Sequence, residues 1–213
     1  MDFYGINPAV LIASLMAASV PIMLAAIGEL VAEKSGVLNL GVEGMMIIGA
    51  ISGFIIAVTT GNPVLGFVGG AVGGAVLSLI FVLLTQVFLA NQVATGLALT
   101  LFGLGLSSLM GQGYNGIKPP PTHQLRFGPL SDIPFFGRVL FSHDWMVYFS
   151  IFAVAVTWAV LKYSRAGLIL RAVGENHDAA HALGYKVRRI RMLAVTFGGA
   201  MAGMGGAYVS LVR

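Results

Sequence analysis

Few side chains in this sequence have the type and spacing that chemistry needs. His177 and His181 stand four residues apart, the spacing of a metal pair on one helix face. No third ligand lies nearby, and a solvated helix face accounts for the pair without a metal. His123 and His143 fall in a separate polar stretch. The chain has no cysteine, which excludes a disulfide, a thiolate metal site and a Cys nucleophile. There is no Gly-x-x-x-x-Gly-Lys-Ser/Thr loop to cradle ATP phosphates, no His-Glu-x-x-His and no Gly-x-Ser-x-Gly.

What remains are polar groups set beside apolar runs. Glu29–Met45 reads ELVAEKSGVLNLGVEGM. Gly36, Gly41 and Gly44 permit backbone breaks there, and Asn39 and Glu43 would be costly facing lipid. Two readings stand open. One is a short cytoplasmic turn with solvated acids. The other is a broken helix entering a bundle, with Asn39 and Glu43 lining a polar path. Asn91-Gln92 repeats the choice in miniature. Span lengths favour a surface turn, and the alternative is a polar notch in the membrane with Thr95 one turn on.

The elements that must hold these groups follow from composition. Of 213 residues, 57% are hydrophobic and 9% charged, against about a quarter charged in a soluble domain. From Gly44 to Ile117 no residue is charged. A bilayer uses such a stretch and a soluble core does not. This excludes a soluble enzyme, a nucleic-acid-binding domain and a disordered linker. The expected fold is an all-α polytopic transmembrane bundle, a single membrane-spanning domain of about six spans over 1–213. They lie near 10–27, 44–60, 64–89, 93–111, 145–161 and 193–212, with Thr60-Gly61-Asn62-Pro63 as a strong break. A polar outer loop covers 112–144, and a second long loop covers 162–191.

That second loop holds Lys162, Arg165, Arg171, Lys186, Arg188, Arg189 and Arg191, seven of the chain's 12 basic residues. The concentration places it in the cytoplasm. It also accounts for the net charge of +4 without nucleic acid. Counting back puts the N-terminus outside, although Val31–Glu43, with its acids, lends the count no support. Glycines four apart (Gly49/Gly53, Gly66/Gly70/Gly74, Gly69/Gly73, Gly199/Gly203) make flat stripes for close helix packing.

Within the basic loop, Asn176 can cap a short helix over His177–Leu183, and Gly184 can end it. Ala179, Ala180 and Leu183 fall on one side, a small apolar face of the kind that seats in another protein's groove.

At these residues the sequence resembles a known family. SGVLNLGVEGMM (Ser35–Met46) and GLILRAVGENHDAAHALG (Gly167–Gly184) are similar to strings in ABC-transporter permeases of the ribose and branched-chain amino acid importers, most of all the nucleoside and simple-sugar branch. Phe197–Leu211 resembles the helix that follows that family's cytoplasmic loop. Asn91-Gln92-Val93 looks like the branch's polar pair before a core helix, where an acidic second residue is common; Gln92 departs from it in charge.

The resemblance implies a non-enzymatic permease subunit of an ATP-driven importer for a nucleoside or simple sugar, in a bacterial-type plasma membrane. It implies as partners ABC ATPase subunits, a second permease and an extracytoplasmic substrate-binding protein. ATP is then used by a partner, and no cofactor is bound here. Arg171, Gly174, Glu175, Asn176, Ala179, Ala180, Leu183 and Gly184 become the ATPase-coupling segment. Asn39, Glu43, Asn91, Gln92 and Thr95 become the solute path. Family members continue for further spans, so the sequence reads as a fragment, a split product or a truncated form. The rivals are an ion-coupled secondary transporter with Glu29 or Glu43 as proton carrier, a non-transporting permease fragment, and an intramembrane enzyme. The last lacks a nucleophile–base pair or a ligand set within the spans.

Overall fold

The computed structural model describes residues 8–122, 124–126, 139 and 141–212. The helices among the described residues are α1 (Pro8–Lys34), α2 (Val42–Thr60), α3 (Pro63–Val82), α4 (Gln92–Gly111), α5 (Trp145–Tyr163), α6 (Arg165–Glu175), α7 (His177–Ala182) and α8 (Val187–Val212). A π-helical turn, Leu83–Val87, extends α3, and a 3₁₀ turn, Gln112–Tyr114, extends α4. Among the described residues six helices are long and apolar enough to cross a membrane: α1, α2, α3 with its π turn, α4 with its 3₁₀ turn, α5 and α8.

Local chemistry sets the helix boundaries. The α2–α3 break falls at Gly61, whose φ of 69° ends α2. Asn62 then accepts the Val64 N–H, and Pro63 takes the first helical position, where a missing N–H costs nothing. Asn91 caps α4 by accepting from Val93 and Ala94.

Two helices run further than the apolar spans alone suggest. α1 continues from Ile27 to Lys34, and α8 begins at Val187 rather than Leu193. Six of the thirteen added residues are Glu, Lys or Arg, which are good helix formers and sit readily where a helix leaves the bilayer. The outer loop, expected to be irregular, contains a two-stranded antiparallel ribbon, β1 (Gln124–Arg126) with β2 (Ser142–Asp144). His123 and much of that loop lie outside the described residues.

α8 forms the centre, packed on α1, α2 and α3. Its buried face is built from small residues, so backbones come together. A Cβ on Gly203 would strike the carbonyl of Gly70, one on Gly206 that of Met46, and one on Gly198 that of Gly28. Without water to drive apolar association inside a bilayer, such close backbone packing is what holds spans together. Gly44 makes the same approach to Leu99 and Thr100, attaching α4 to α2.

One apolar cluster gathers Val20, Leu24, Phe67, Met146 and Tyr208. A second gathers Ala32, Val37, Met45, Phe81 and Val195. The second lies under the end of the bundle where α1 stops, α2 and α4 start, and the α5–α8 loop folds.

Candidate functional site

The polar residues singled out above lie at that end. The connector from α1 to α2 alternates in exposure: Ser35, Val37, Asn39 and Gly41 are buried, and Gly36, Leu38 and Leu40 are exposed. The period of two marks an extended strip with one face against the bundle. Asn39, 2% exposed, is spent on holding that strip. Its backbone N–H donates to Glu29 Oε1 at 3.0 Å, its Oδ1 accepts from Gly41 N at 3.1 Å, and its Nδ2 reaches Met45 Sδ at 3.4 Å. Gln92 Oε1 accepts the Leu38 N–H at 2.8 Å, latching the strip to the start of α4.

Asn39 and Gln92 therefore act on neighbouring bonds of one connector. Asn91 is exposed and occupied as a cap. Thr95 is buried one turn further along α4. Glu43 is exposed in the first turn of α2, where a carboxylate meets the positive end of the helix dipole. The first two meet at the connector; the other three stand apart from it, two on α4 and one on α2. The connector's polar atoms bond to the bundle along one face, and Gly36, Leu38 and Leu40 leave its other face exposed.

Sequence reasoning passed over Arg191. Its Nε donates to the Ser35 carbonyl at 3.1 Å, and its Nη1 approaches Gln86 Oε1 at 3.5 Å. One guanidinium thus ties the start of α8 to the α1–α2 connector and to the π turn after α3. Arg188 and Arg189 are exposed, whereas Arg191 is half-buried above Ala194, Val195 and Gly198. That three-, four- and seven-residue periodicity was the available signal.

The basic loop folds as two helices rather than one. Ser164 Oγ accepts the Gly167 N–H at 3.0 Å and starts α6. Asn176 Oδ1 accepts the Ala179 N–H at 3.0 Å and starts α7. Gly184, with φ of 87°, lets the chain turn back, and its N–H donates to the His181 carbonyl at 2.9 Å. Gly174 lies against the Lys34 carbonyl and Gly36, so close that a Cβ would collide. α6 consequently touches the end of α1 through backbone.

The expected outward face of α7 needs correction. Ala180 is 3% exposed and packs on the chain itself, since α7 lies on α6 and α8 and the Tyr185 N–H folds back to the Ala180 carbonyl. Ala179 and Leu183 remain outward, Leu183 at 78% exposure. Glu175, expected at the start of that helix, is the exposed last residue of α6. Arg171 lines a cleft beside α1 and α5. His177 pairs with Asp178 at 3.4 Å, both largely exposed.

Comparison with known proteins gives a consistent set of matches. The family described as branched-chain amino acid transport system / permease component matches residues 11–213. A putative glucose ABC transporter permease protein of Haloferax volcanii is 40% identical over 93% of this chain and 61% of its own length. A guanosine ABC transporter permease protein of Bacillus subtilis is 32% identical over 100% of this chain and 70% of its own. A nucleoside ABC transporter permease protein of Lactococcus lactis is 32% identical over 93% and 66%. The chain thus spans 61% to 70% of the length of these relatives. No solved structure matches it.

Proposed function

The chain belongs to the branched-chain amino acid transport system permease family, and we propose that it is the membrane part of an ABC importer for a sugar or a nucleoside. The relatives' names supply the substrate class: glucose in one, guanosine and nucleosides in others. Energy then comes from a partner ATPase, and an extracytoplasmic binding protein delivers the solute.

The observation that carries this reading is the α6–α7 unit. It is a pair of capped helices on the basic end of the bundle, with Ala179 and Leu183 outward and Gly174 in backbone contact with the end of α1. A push on α7 has two rigid routes into the spans. One runs through Gly174 to Lys34 and the connector. The other runs through α8, whose first turn grips Ser35 and Gln86 by way of Arg191. Packed elements move as units rather than deform, so movement of α7 shifts α1 and α8 against their neighbours. Alternating access would follow as the bundle opens first to one side and then to the other.

The same frame gives the connector a role in the solute path. Asn39 and Gln92 set its shape, while Glu43, Asn91 and Thr95 line the neighbouring starts of α2 and α4.

The test is uptake of radiolabelled glucose and guanosine by vesicles holding the complete assembly, with ATP or with an ion gradient as the energy source. ATP-dependent uptake of either solute supports the importer. Uptake driven by a proton or sodium gradient without ATP would replace it with secondary transport.

A further inference from the structure

A second cluster of charge lies at the same end of the bundle but on its flank. A cleft of about 380 Å³ opens between α1, α5 and α6, and Lys34, Lys162 and Arg171 reach it from three different helices. Among the described residues no carboxylate forms an ion pair with any of the three. Arg171 Nε is shielded from solvent and has no hydrogen-bond partner among the described residues. A shielded guanidinium N–H without an acceptor is costly, and an anion in the cleft removes the cost.

The walls are those of a lipid site. Ile27, Leu30 and Val154 form the apolar side. Lys162 Nζ lies 5.0 Å over the Trp158 ring and 5.4 Å from the Tyr163 ring. Both rings are more than half exposed, the position that Trp and Tyr take at headgroup level. The cleft shares Thr157 and Leu161 with a larger one of about 480 Å³ that runs on between α5, α6 and α8 and is lined almost wholly by apolar side chains. A free phosphate would use the cations and leave this apolar space unexplained.

We propose that the cleft holds an anionic phospholipid, its phosphate held by Lys34, Lys162 and Arg171 and an acyl chain lying in the adjoining apolar space. Anionic lipids concentrate in the cytoplasmic leaflet, the side that the basic loop marks. The inference needs the chain to span a membrane and does not depend on what it transports.

The experiment is native mass spectrometry of the purified complete assembly, offered equal amounts of phosphatidylglycerol and phosphatidylcholine. Phosphatidylglycerol should be retained in preference. Arg171→Gln and Lys162→Gln should each lower that retention about fivefold, the effect of one charge near a membrane surface. Lys162 is exposed, so its variant folds even where Arg171→Gln does not. Lys118→Gln, on the far side of the bundle, should change nothing. Equal retention of the two lipids, or retention unchanged by Lys162→Gln, overturns the proposal. So does displacement by millimolar inorganic phosphate, which would mark a free-anion site.

Discussion

Arg191 and Ser35, 156 positions apart, are joined by a hydrogen bond of 3.1 Å from the guanidinium to a backbone carbonyl. This bond links the first turn of the central helix to the connector between the first two spans. Arg191→Ala should destabilise the protein by about 1.5–3 kcal/mol, the range for a hydrogen bond to a charged group. The check is a thermal melt in detergent. Arg191→Lys should recover only part of it, because an ammonium cannot reach Ser35 and Gln86 in one plane. Equal melting of Arg191→Ala and wild type would mean that the link contributes nothing.

Asn39 and Glu43 should part company on mutation. Asn39→Ala removes two side-chain contacts and leaves the buried Gly41 N–H without its acceptor, at about 1–3 kcal/mol. Protein level and uptake should fall together. Glu43→Gln changes an exposed side chain and should leave the protein level alone. A change in uptake with Glu43→Gln would then report on the solute path, and no change would remove Glu43 from it.

Gly203→Leu should be among the most damaging substitutions in the spans. The added side chain has to enter where the Gly70 backbone already lies, and overpacking a close-packed site typically costs about 1–3 kcal/mol or more. Loss of monodisperse protein on gel filtration is the expected sign. Gly105→Leu is the control, since nothing lies near that glycine. A Gly203→Leu protein as stable as wild type would contradict the packing described for α8.

Much of this was legible in the sequence, and the reasons are physical. An uncharged run from Gly44 to Ile117 has one stable home, so the spans followed from length and turn signals. Asn62, Asn91 and Asn176 were readable as breaks or caps because capping is local. What escaped was tertiary. Arg191 looked like one more basic loop residue until α8 was seen to begin at Val187 and turn that side chain inward. Ala180 was assigned outward because a six-residue helix has too little sequence to say which side its own protein covers. The amphipathic α6 lay inside a segment read for its charge and its motif and not for its helical period. Asn39 looked equally suited to a turn or a path, and its three contacts, to Glu29, Gly41 and Met45, are set by the fold.

Orientation can be checked independently. A single cysteine at Tyr185 in this cysteine-free chain should resist an impermeant thiol reagent in intact cells and react once the membrane is opened. Tyr185 is 39% exposed, so access is not limiting. Rapid labelling in intact cells would turn the bundle over and place the basic loop outside.

The central claim is that α7 couples this chain to an ATPase, and Leu183→Asp tests it most directly. Leu183 is 78% exposed, so the substitution leaves the fold of this chain intact while placing a charge in the proposed docking face. In the complete assembly, the variant should insert and melt like wild type yet fail to co-purify with its ATPase or stimulate ATP hydrolysis. Full co-purification and full stimulation with Leu183→Asp, and again with Ala179→Asp, would contradict the account.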